Sequence, residues 1–351
     1  MSMNLAAIAK SAGVSPSTIS RVINGKPGVS EERAKQVRSL IEQMGYEGPR
    51  TRRAATPSGG AGVKTIGYVQ LGDGYLRHPE LFALMLKGAT RVAGDLGIRL
   101  QVMICPSGDD LSSLASQVSG LDGLLLAGTL DSEALPEAIN DMPKVWLTSS
   151  RNRGSDEVLS GNEEAGRSAA RYLAERGHHR LLFWNPSPSH AAFTSRFRGF
   201  QGAARELGCE TIELIPERGQ HMSVHESDRE MIDRVLTRMA KRYCELPIRP
   251  SGLFVPTDLV TAHLYPLLRR HGIETGRDVE VVSFGNEQTY LAGLDPRPAA
   301  IDMGAELIGM RSVDQLAWRV RYPNEARQCR VSLDPLIVPG DSGRFEDETH
   351  S

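Results

Sequence analysis

Between residues 15 and 24 the chain carries a run of hydroxyl side chains together with one arginine and one asparagine. A guanidinium group can donate two parallel hydrogen bonds to a guanine edge, and Arg21 is the residue suited to do so. Hydroxyl and amide groups can bind phosphate oxygens, which positions a protein on DNA without reading its sequence. The residues suited to this second role are Ser15, Thr18, Ser20 and Asn24. The alternative for each hydroxyl is helix capping or solvation.

Such contacts require a helix that presents these side chains together. Asn4 can cap a first helix over residues 5–11, and Gly13 allows a tight turn after it. Ser15 can cap a second helix over residues 16–23, because the proline that follows it suits the first helical position, where no amide hydrogen is needed. Two short helices about a glycine turn predict a helix-turn-helix, whose second helix lies in the major groove of DNA. The alternative is an ordinary helical hairpin.

The order of segments in the first 46 residues favours the first interpretation. AGVS, STISRVING, PGVSEE and MGY follow one another there. This pattern closely resembles the DNA-binding head of the LacI/GalR family of bacterial transcription regulators. The resemblance implies that Pro16 and Ser17, at the start of the recognition helix, set sequence specificity.

The segment after the head is basic and then rich in glycine. Members of the family usually fold a hinge helix here and insert a leucine into the minor groove, but residues 52–55 read Arg-Arg-Ala-Ala and contain no leucine. Arg50, Arg52 and Arg53 could instead hold phosphates or enter a narrow minor groove. The alternative is a disordered basic linker.

Charge is distributed unevenly along the 351 residues. Residues 1–55 carry nine Lys and Arg against four Glu, a net charge of +5, whereas the remainder carries −7. A basic N-terminal part on an acidic body indicates a polyanionic partner for the N-terminal part alone. Double-stranded DNA is therefore the expected partner.

The composition also indicates the cellular compartment of the protein and limits the chemistry expected of it. The four cysteines show no CxxC spacing and predict buried free thiols in a reducing cytosol. No leader sequence is recognisable, and no apolar run approaches the ~20 residues of a membrane helix, so we expect a cytoplasmic protein. His221 and His225 have helical metal-ligand spacing but no evident third ligand. We therefore predict no metal, no cofactor and no enzymatic activity.

From Lys64 onward, short apolar runs alternate with helical patterns in two successive series, over residues 65–148 and 162–284. Strands that alternate with helices predict parallel sheets covered on both faces. The predicted fold class is therefore α/β, with two doubly wound lobes like those of periplasmic binding proteins behind the helix-turn-helix head. A ligand cleft is expected between the lobes, at the carboxyl ends of the strands.

The family resemblance extends through this body and implies three crossings between the lobes, near residues 160, 290 and 324. The predicted parts are a head (1–48), a linker (49–63), a sensor (64–340) and a polar tail (341–351). Within the sensor, the N-lobe would comprise 64–160 and 291–323, and the C-lobe 161–290 and 324–340.

The resemblance also implies a site for a small-molecule effector. Arg196 matches an arginine that contacts the effector, although a surface charge is the alternative. Thr148, Thr257 and Gly285 stand where sugar-binding members place carboxylates or amides, and Asn286 follows. The loss of hydroxyl acceptors makes an ordinary neutral sugar less certain, because such sites pair every buried polar group.

Two neighbouring residues have simpler interpretations. Phe82 could stack on a ligand, but an aromatic side chain in such a run more often belongs to the core. Asp258 is predicted to cap a helix rather than to bind a ligand.

Together these features predict a transcription regulator, a repressor, that binds a pseudo-palindromic operator as a homodimer. Its affinity for the operator is expected to fall or rise when a small-molecule effector binds between its lobes. One alternative is a regulator controlled by a protein partner with no small-molecule effector. Another is a free solute-binding protein, since its body has the same two-lobed plan.

Overall fold

The computed structural model describes Val14 and residues 63–72, 74–105, 111–128, 135–148, 154–218 and 229–341. The chain divides into two units, Met1–Ala61 and Gly62–Ser351, and the described residues other than Val14 belong to the second. Apart from Val14 and Val63, the predicted helix-turn-helix and linker lie outside the described residues, and so does the polar tail after Asp341.

The second unit alternates strands with helices along most of its length. The strands are β1 (Thr65–Leu71), β2 (Arg99–Cys105), β3 (Gly123–Gly128), β4 (Lys144–Leu147), β5 (Asp156–Ser160), β6 (Arg180–Trp184), β7 (Glu210–Leu214), β8 (Gly252–Phe254), β9 (Glu280–Gly285), β10 (Ala299–Asp302), β11 (Arg330–Leu333) and β12 (Leu336–Val338). The helices are α1 (Gly74–Arg77), α2 (Pro79–Asp95), α3 (Leu111–Gln117), α4 (Glu137–Asn140), α5 (Asn162–Glu175), α6 (Ala191–Glu206), α7 (Arg229–Cys244), α8 (Asp258–Arg270), α9 (Gln288–Leu291) and α10 (Ala305–Arg321).

The strands form two six-stranded sheets, one in each lobe. The first has the order β11-β5-β4-β3-β1-β2 and the second β12-β10-β9-β8-β6-β7. The pairs are parallel, except that β12 runs antiparallel to β10. Central strands such as β3 and β9 are apolar along most of their length because helices cover both faces. The predicted fold class of two doubly wound α/β lobes is confirmed.

The chain crosses between the lobes three times, and the last two crossings differ from the prediction. The first lies at Gly161, between β5 and α5. The second lies near Met303, because β10 still pairs with β9 of the second lobe. The third lies near 334, because β11 pairs with β5 of the first lobe before β12 joins the second. The predicted positions near 290 and 324 are therefore wrong, by about 13 and about 10 residues respectively.

A buried ion pair explains why the chain stays in the first lobe after α10. The carboxylate of Asp156 accepts hydrogen bonds from Arg319 Nε at 2.9 Å and Nη2 at 2.6 Å. It also accepts from Gln315 Nε2 at 2.7 Å and from the backbone N–H of Cys329 at 2.9 Å. Burial alone would raise the pKa of Asp156, but these donors together lower it. The segment before β11 is thus fastened to the first sheet by β5 and α10.

Each lobe contains one pair of helices in direct backbone contact. A Cβ added at Gly88 of α2 would lie 2.0 Å from the carbonyl oxygen of Glu306 in α10, and one at Gly309 would lie 1.9 Å from that of Met85. In the second lobe, α5 and α6 approach in the same way through Gly166 and Gly199. Glycine is required at these positions because no side chain fits between the helices.

Two further expectations can be compared with the described part of the chain. The cysteines are free, but only Cys105 is buried, and Cys209, Cys244 and Cys329 are half-buried, so burial was predicted correctly for one of the four. Among the described helices, none is both long and apolar enough to cross a membrane.

Candidate ligand site between the lobes

Unusual backbone conformations follow two strands at their carboxyl ends. Thr148, directly after β4, and Asn286, directly after β9, both have φ of 63°. A positive φ is uncommon for residues other than glycine and is particularly costly for a β-branched threonine. Gly285 has φ of 133°, which only glycine adopts readily. Because carboxyl ends of parallel strands form the ligand crevice in such folds, this strain lies where a ligand site is expected.

Arg196 of α6 is buried in the second lobe, so the alternative of a surface charge is wrong. Its Nε donates to Asn162 Oδ1 at 2.9 Å, its Nη1 donates to the carbonyl oxygen of Pro256 at 2.6 Å, and its Cζ lies 3.4 Å from the ring centroid of Phe284. Burial lowers the pKa of Arg196 to about 9, and the charge of Asp258 opposes this shift. The guanidinium therefore stays charged at neutral pH, and its Nη2 donates no hydrogen bond to a described residue.

Asp258, the first residue of α8, is fully buried beside this arginine. It accepts hydrogen bonds from the hydroxyl of Ser283 and from the backbone N–H of Glu287, the latter at 2.7 Å. Burial raises the pKa of Asp258 to about 7; the two hydrogen bonds lower it and the charge of Glu287 raises it further. The predicted capping role of Asp258 is wrong, because Thr257 is the cap: its Oγ1 accepts from Val260 N–H at 3.3 Å.

Three side-chain contacts join the two lobes at the entrance to α2. His78 Nδ1 lies 2.6 Å from Glu287 Oε1. Glu80 Oε2 accepts from the backbone N–H of Thr289 at 3.0 Å and from its hydroxyl at 3.2 Å. The hydroxyl of Tyr290 donates to a backbone carbonyl oxygen of the first lobe. We call these residues the interlobe bridge: Arg77, His78 and Glu80 of the first lobe, and Glu287, Thr289 and Tyr290 of the second.

The strained loop after β9 is connected to the second crossing between the lobes. Asn286 Nδ2 donates to Asp302 Oδ2 at 3.3 Å, and Asn286 Oδ1 accepts from Arg297 Nη2 at 3.1 Å. The other oxygen of Asp302 accepts from the backbone N–H of Gly304 at 2.8 Å. Gly304, with φ of 69°, directly precedes α10 of the first lobe. A change in the conformation of Asn286 can therefore be transmitted to the crossing at Gly304 through the carboxylate of Asp302.

Phe82 lies in the first turn of α2 and is half-buried. Its ring meets that of Tyr68 edge-on, with centroids 5.8 Å apart, and it packs against the core. Burial raises the pKa of Tyr68, whose hydroxyl has no hydrogen-bond partner among the described residues. The core interpretation of Phe82 thus has direct support, and its contact with a ligand stays a prediction.

The structure brings part of the predicted effector set together. Gly285 is adjacent to Asp258, since a Cβ added there would lie 2.5 Å from Asp258 Oδ2. Asp258 in turn interacts with the charge of Arg196, and it directly follows Thr257 in the chain. Thr148 lies in the first lobe, where its backbone N–H donates to Val158 at 3.0 Å. The ten predicted DNA-binding residues lie outside the described part.

Sequence reasoning missed His78, Glu287 and Asn162 as members of this site. A histidine before a helix and a glutamate after a strand are common on protein surfaces, and no spacing marks these two as partners. His78 and Glu287 are 209 residues apart, so only the folded chain joins them. Within the residues that the structure describes, no group of three or more His, Cys, Asp or Glu could hold a metal ion; His221 and His225 lie outside them.

Two family models match the chain. Residues 4–48 match the bacterial regulatory proteins of the lacI family, and residues 170–343 match a periplasmic binding protein-like domain. The HTH-type transcriptional repressor PurR of Vibrio atlanticus (strain LGP32) is 25% identical over 342 residues, which cover 94% of this chain and 96% of the relative.

Solved structures share the fold at lower identity. A complex of the transcriptional regulator CelR with cellobiose has a TM-score of 0.66 at 21% identity, and the match covers 97% of this chain and 100% of that chain. A lac repressor dimer bound to operator and the anti-inducer ONPF has a TM-score of 0.62 at 19% identity, with 97% and 99% covered.

A helix-turn-helix sequence joined to two doubly wound lobes defines a class of DNA-binding regulators with a ligand-sensing body. The chain joins a lacI-family DNA-binding sequence at residues 4–48 to a periplasmic binding protein-like domain at residues 170–343, and relatives that cover nearly its whole length are named transcriptional repressors and regulators. The alternative of a free solute-binding protein is not favoured, because the lacI model matches the N-terminal residues.

Proposed function

We propose that the protein is a cytoplasmic transcription repressor that binds a pseudo-palindromic operator as a homodimer and responds to a small-molecule effector held between its lobes. The observation that carries this proposal is a lacI-type N-terminal sequence joined to a body with a buried polar cluster and direct contacts between its lobes. A dimer presents two recognition helices, one for each half of the operator.

Effector control acts through the relation between the two lobes. A ligand between them changes the balance between contacts that the lobes make with each other and contacts that they make with the ligand. The strained loop at Asn286 is bonded to Asp302, which in turn holds the crossing at Gly304. By linkage, operator binding changes effector affinity by the same factor as the effector changes operator affinity.

Arg196 is the proposed anchor for the effector. Its guanidinium is held by Asn162, Pro256 and Phe284, which leaves Nη2 to donate to an acceptor of the ligand. A buried guanidinium selects a carboxylate or hydroxyl oxygen, because a ligand without an acceptor leaves a buried donor unpaired. Thr148, Gly285, Asn286 and Phe82 are proposed to complete the pocket wall.

Selection of bound DNA from a random duplex pool tests operator binding. Full-length protein at moderate salt should enrich an inverted repeat. Arg21→Ala should relax base choice in each half-site and cost about 1–3 kcal/mol. Lys26→Ala, outside the predicted recognition helix (16–23), should leave the selected sequence unchanged. Equal loss on every sequence would make Arg21 a phosphate contact. Binding without enrichment that falls steeply with salt would contradict sequence-specific recognition.

A further inference from the structure

Among the described residues, a buried carboxylate oxygen between the lobes has no hydrogen-bond donor. Both oxygens of Asp258 accept hydrogen bonds, and so do both oxygens of Asp302. Glu287 is 1% exposed, and its Oε1 meets His78. Its Oε2 is buried and has no hydrogen-bond partner in the described part of the chain. A buried carboxylate oxygen is stable only when a donor or a cation reaches it, so this atom indicates a place for a missing partner.

The charges around Glu287 favour a cationic partner over a neutral one. Glu287 lies next to a second carboxylate, because its backbone N–H donates to Asp258 Oδ2. The nearby guanidinium of Arg196 donates to neutral groups and stacks on Phe284, and it makes no ion pair among the described residues. A neutral hydroxyl would satisfy the free oxygen but would bring no positive charge to the neighbouring carboxyl groups of Glu287 and Asp258, which share the guanidinium of Arg196 and the imidazole of His78. A positively charged nitrogen satisfies both requirements.

We propose that Glu287 is an effector-binding residue and that it takes a positively charged amino group of the effector. This inference rests on the proposed function, since it names the chemical class of the effector at the same site. The Nη2 of Arg196, which donates to no described residue, can take an acceptor of the same ligand. The effector is therefore a small polar molecule with both an amino group and a hydroxyl or carboxylate, such as an amino sugar or an amino acid.

His78 gives this site a regulatory role. Its imidazole, which belongs to the opposite lobe, lies 2.6 Å from Oε1 of Glu287. An amino group that binds the carboxylate competes with His78 and removes one contact of the interlobe bridge. Binding of the amino group to Glu287 and loss of the His78 contact therefore occur together. This explains how a small ligand can alter the relation between the lobes.

A first experiment needs no ligand and compares two variants of the full-length protein. Glu287→Gln removes a buried charge that lacks a full set of partners, so the melting temperature should rise by a few degrees. Glu80→Gln is the matched control: the same change in the same bridge, at a carboxylate that accepts two hydrogen bonds from Thr289, should lower the melting temperature. A melting temperature of Glu287→Gln at or below that of the wild type would make Glu287 a structural residue and overturn the proposal.

A second experiment measures melting temperatures with matched compounds. The probes are D-glucosamine, D-galactosamine and D-mannosamine, their neutral parent sugars, and the L-amino acids. An amine should raise the melting temperature of the wild type by several degrees near 100 times its Kd, while its neutral counterpart should not. Glu287→Gln should weaken amine binding by at least about tenfold. Glu210→Gln, which breaks an exposed pair with Arg180 outside the interlobe bridge, should leave amine binding unchanged.

The outcomes separate this inference from the proposed function. Equal stabilisation by neutral and amino compounds would overturn the amine class while leaving effector control intact. Amine stabilisation that persists in Glu287→Gln would overturn the role of Glu287. If no compound stabilises the wild type and the protein still selects an inverted repeat, small-molecule control and this inference both fall, while operator binding stands.

Discussion

At the level of single residues, two kinds of buried charge have different consequences. Asp156 has Arg319 as a direct partner, and its pKa is lowered despite burial. Asp258 has neutral donors and a neighbouring carboxylate, and burial raises its pKa to about 7. The first arrangement stabilises the fold at neutral pH. The second costs stability at neutral pH and lies in the proposed effector site, where such a cost is common.

The raised pKa of Asp258 predicts a particular pH dependence of stability. The unfolded carboxyl group titrates near pH 3.9, so between about pH 4 and pH 7 the native state binds more protons than the unfolded state. The free energy of unfolding should therefore fall as pH rises through this window, by on the order of 2–4 kcal/mol. Asp258→Asn should remove this contribution, as measured by urea unfolding at pH 5, 6, 7 and 8.

Asp314→Asn serves as the control for this series. Its carboxylate is 43% exposed and pairs with Arg311 on the surface, so the variant should keep the wild-type pH slope. Identical slopes for wild type and Asp258→Asn would show that Asp258 titrates at its ordinary pKa.

At the level of secondary-structure elements, the helix pairs α2/α10 and α5/α6 set the internal geometry of each lobe. Their backbones touch at Gly88 and Gly309 in one lobe and at Gly166 and Gly199 in the other. Helix α2 begins beside the interlobe bridge, and α10 begins at the second crossing. The close packing therefore holds the bridge and the crossing at a fixed distance in the first lobe.

Gly88→Ala should destabilise the body by about 1–3 kcal/mol or more, because the added Cβ would lie 2.0 Å from the carbonyl oxygen of Glu306. Gly94→Ala, in the same helix but with open space around it, should instead be neutral or stabilise by up to about 1 kcal/mol. Chemical denaturation of both variants measures the difference. Equal changes in the free energy of unfolding in the two variants would mean that α2 and α10 can move apart without loss of stability.

Arg319→Gln should destabilise the first lobe by about 3–5 kcal/mol, because it leaves the buried carboxylate of Asp156 without its cation. Arg311→Gln, on the same helix, breaks an exposed pair with Asp314 and should cost less than about 1 kcal/mol. Thermal and urea unfolding would compare the two. A similar small cost in both would mean that solvent reaches Asp156 freely.

At the level of the whole molecule, charge separates the part that meets DNA from the part that senses. Residues 1–55 carry a net charge of +5 and the rest carries −7. Phosphate attraction therefore belongs to the N-terminal residues, and the acidic body disfavours binding of DNA elsewhere. Within the linker, Arg52 and Arg53 stand where the family usually has a hinge helix with a leucine.

If Arg52 and Arg53 hold phosphates, replacing both by glutamine should reduce the slope of log K against log salt by about 0.9 for each lost contact, or nearly 2 in all. The selected operator sequence should stay the same, because phosphate contacts carry no sequence information. Lys64→Gln, an exposed residue at the start of the body, should leave the slope unchanged. An unchanged slope in the double variant would identify the linker as a segment that does not bind DNA.

The sequence by itself determined the features that depend on neighbouring residues. Hydrophobic periodicity located strands such as β1 and β6, and the order of short sequence segments in the first 46 residues indicated the family. The sequence also singled out Arg196, which lies in a local segment that resembles the family; its burial is confirmed, and its contact with an effector stays a prediction. These signals are short-range, since a helix, a strand or a cap is specified within a few consecutive residues.

Only the tertiary structure decided the crossings and the contents of the site between the lobes. The β10 strand pairs with β9, and β11 pairs with β5, which no local pattern in either strand specifies. His78 and Glu287 are 209 residues apart, and neither differs from a surface residue in its own segment. Burial, the partner of a charge and the direction of a pKa shift all depend on which distant segments the fold brings together.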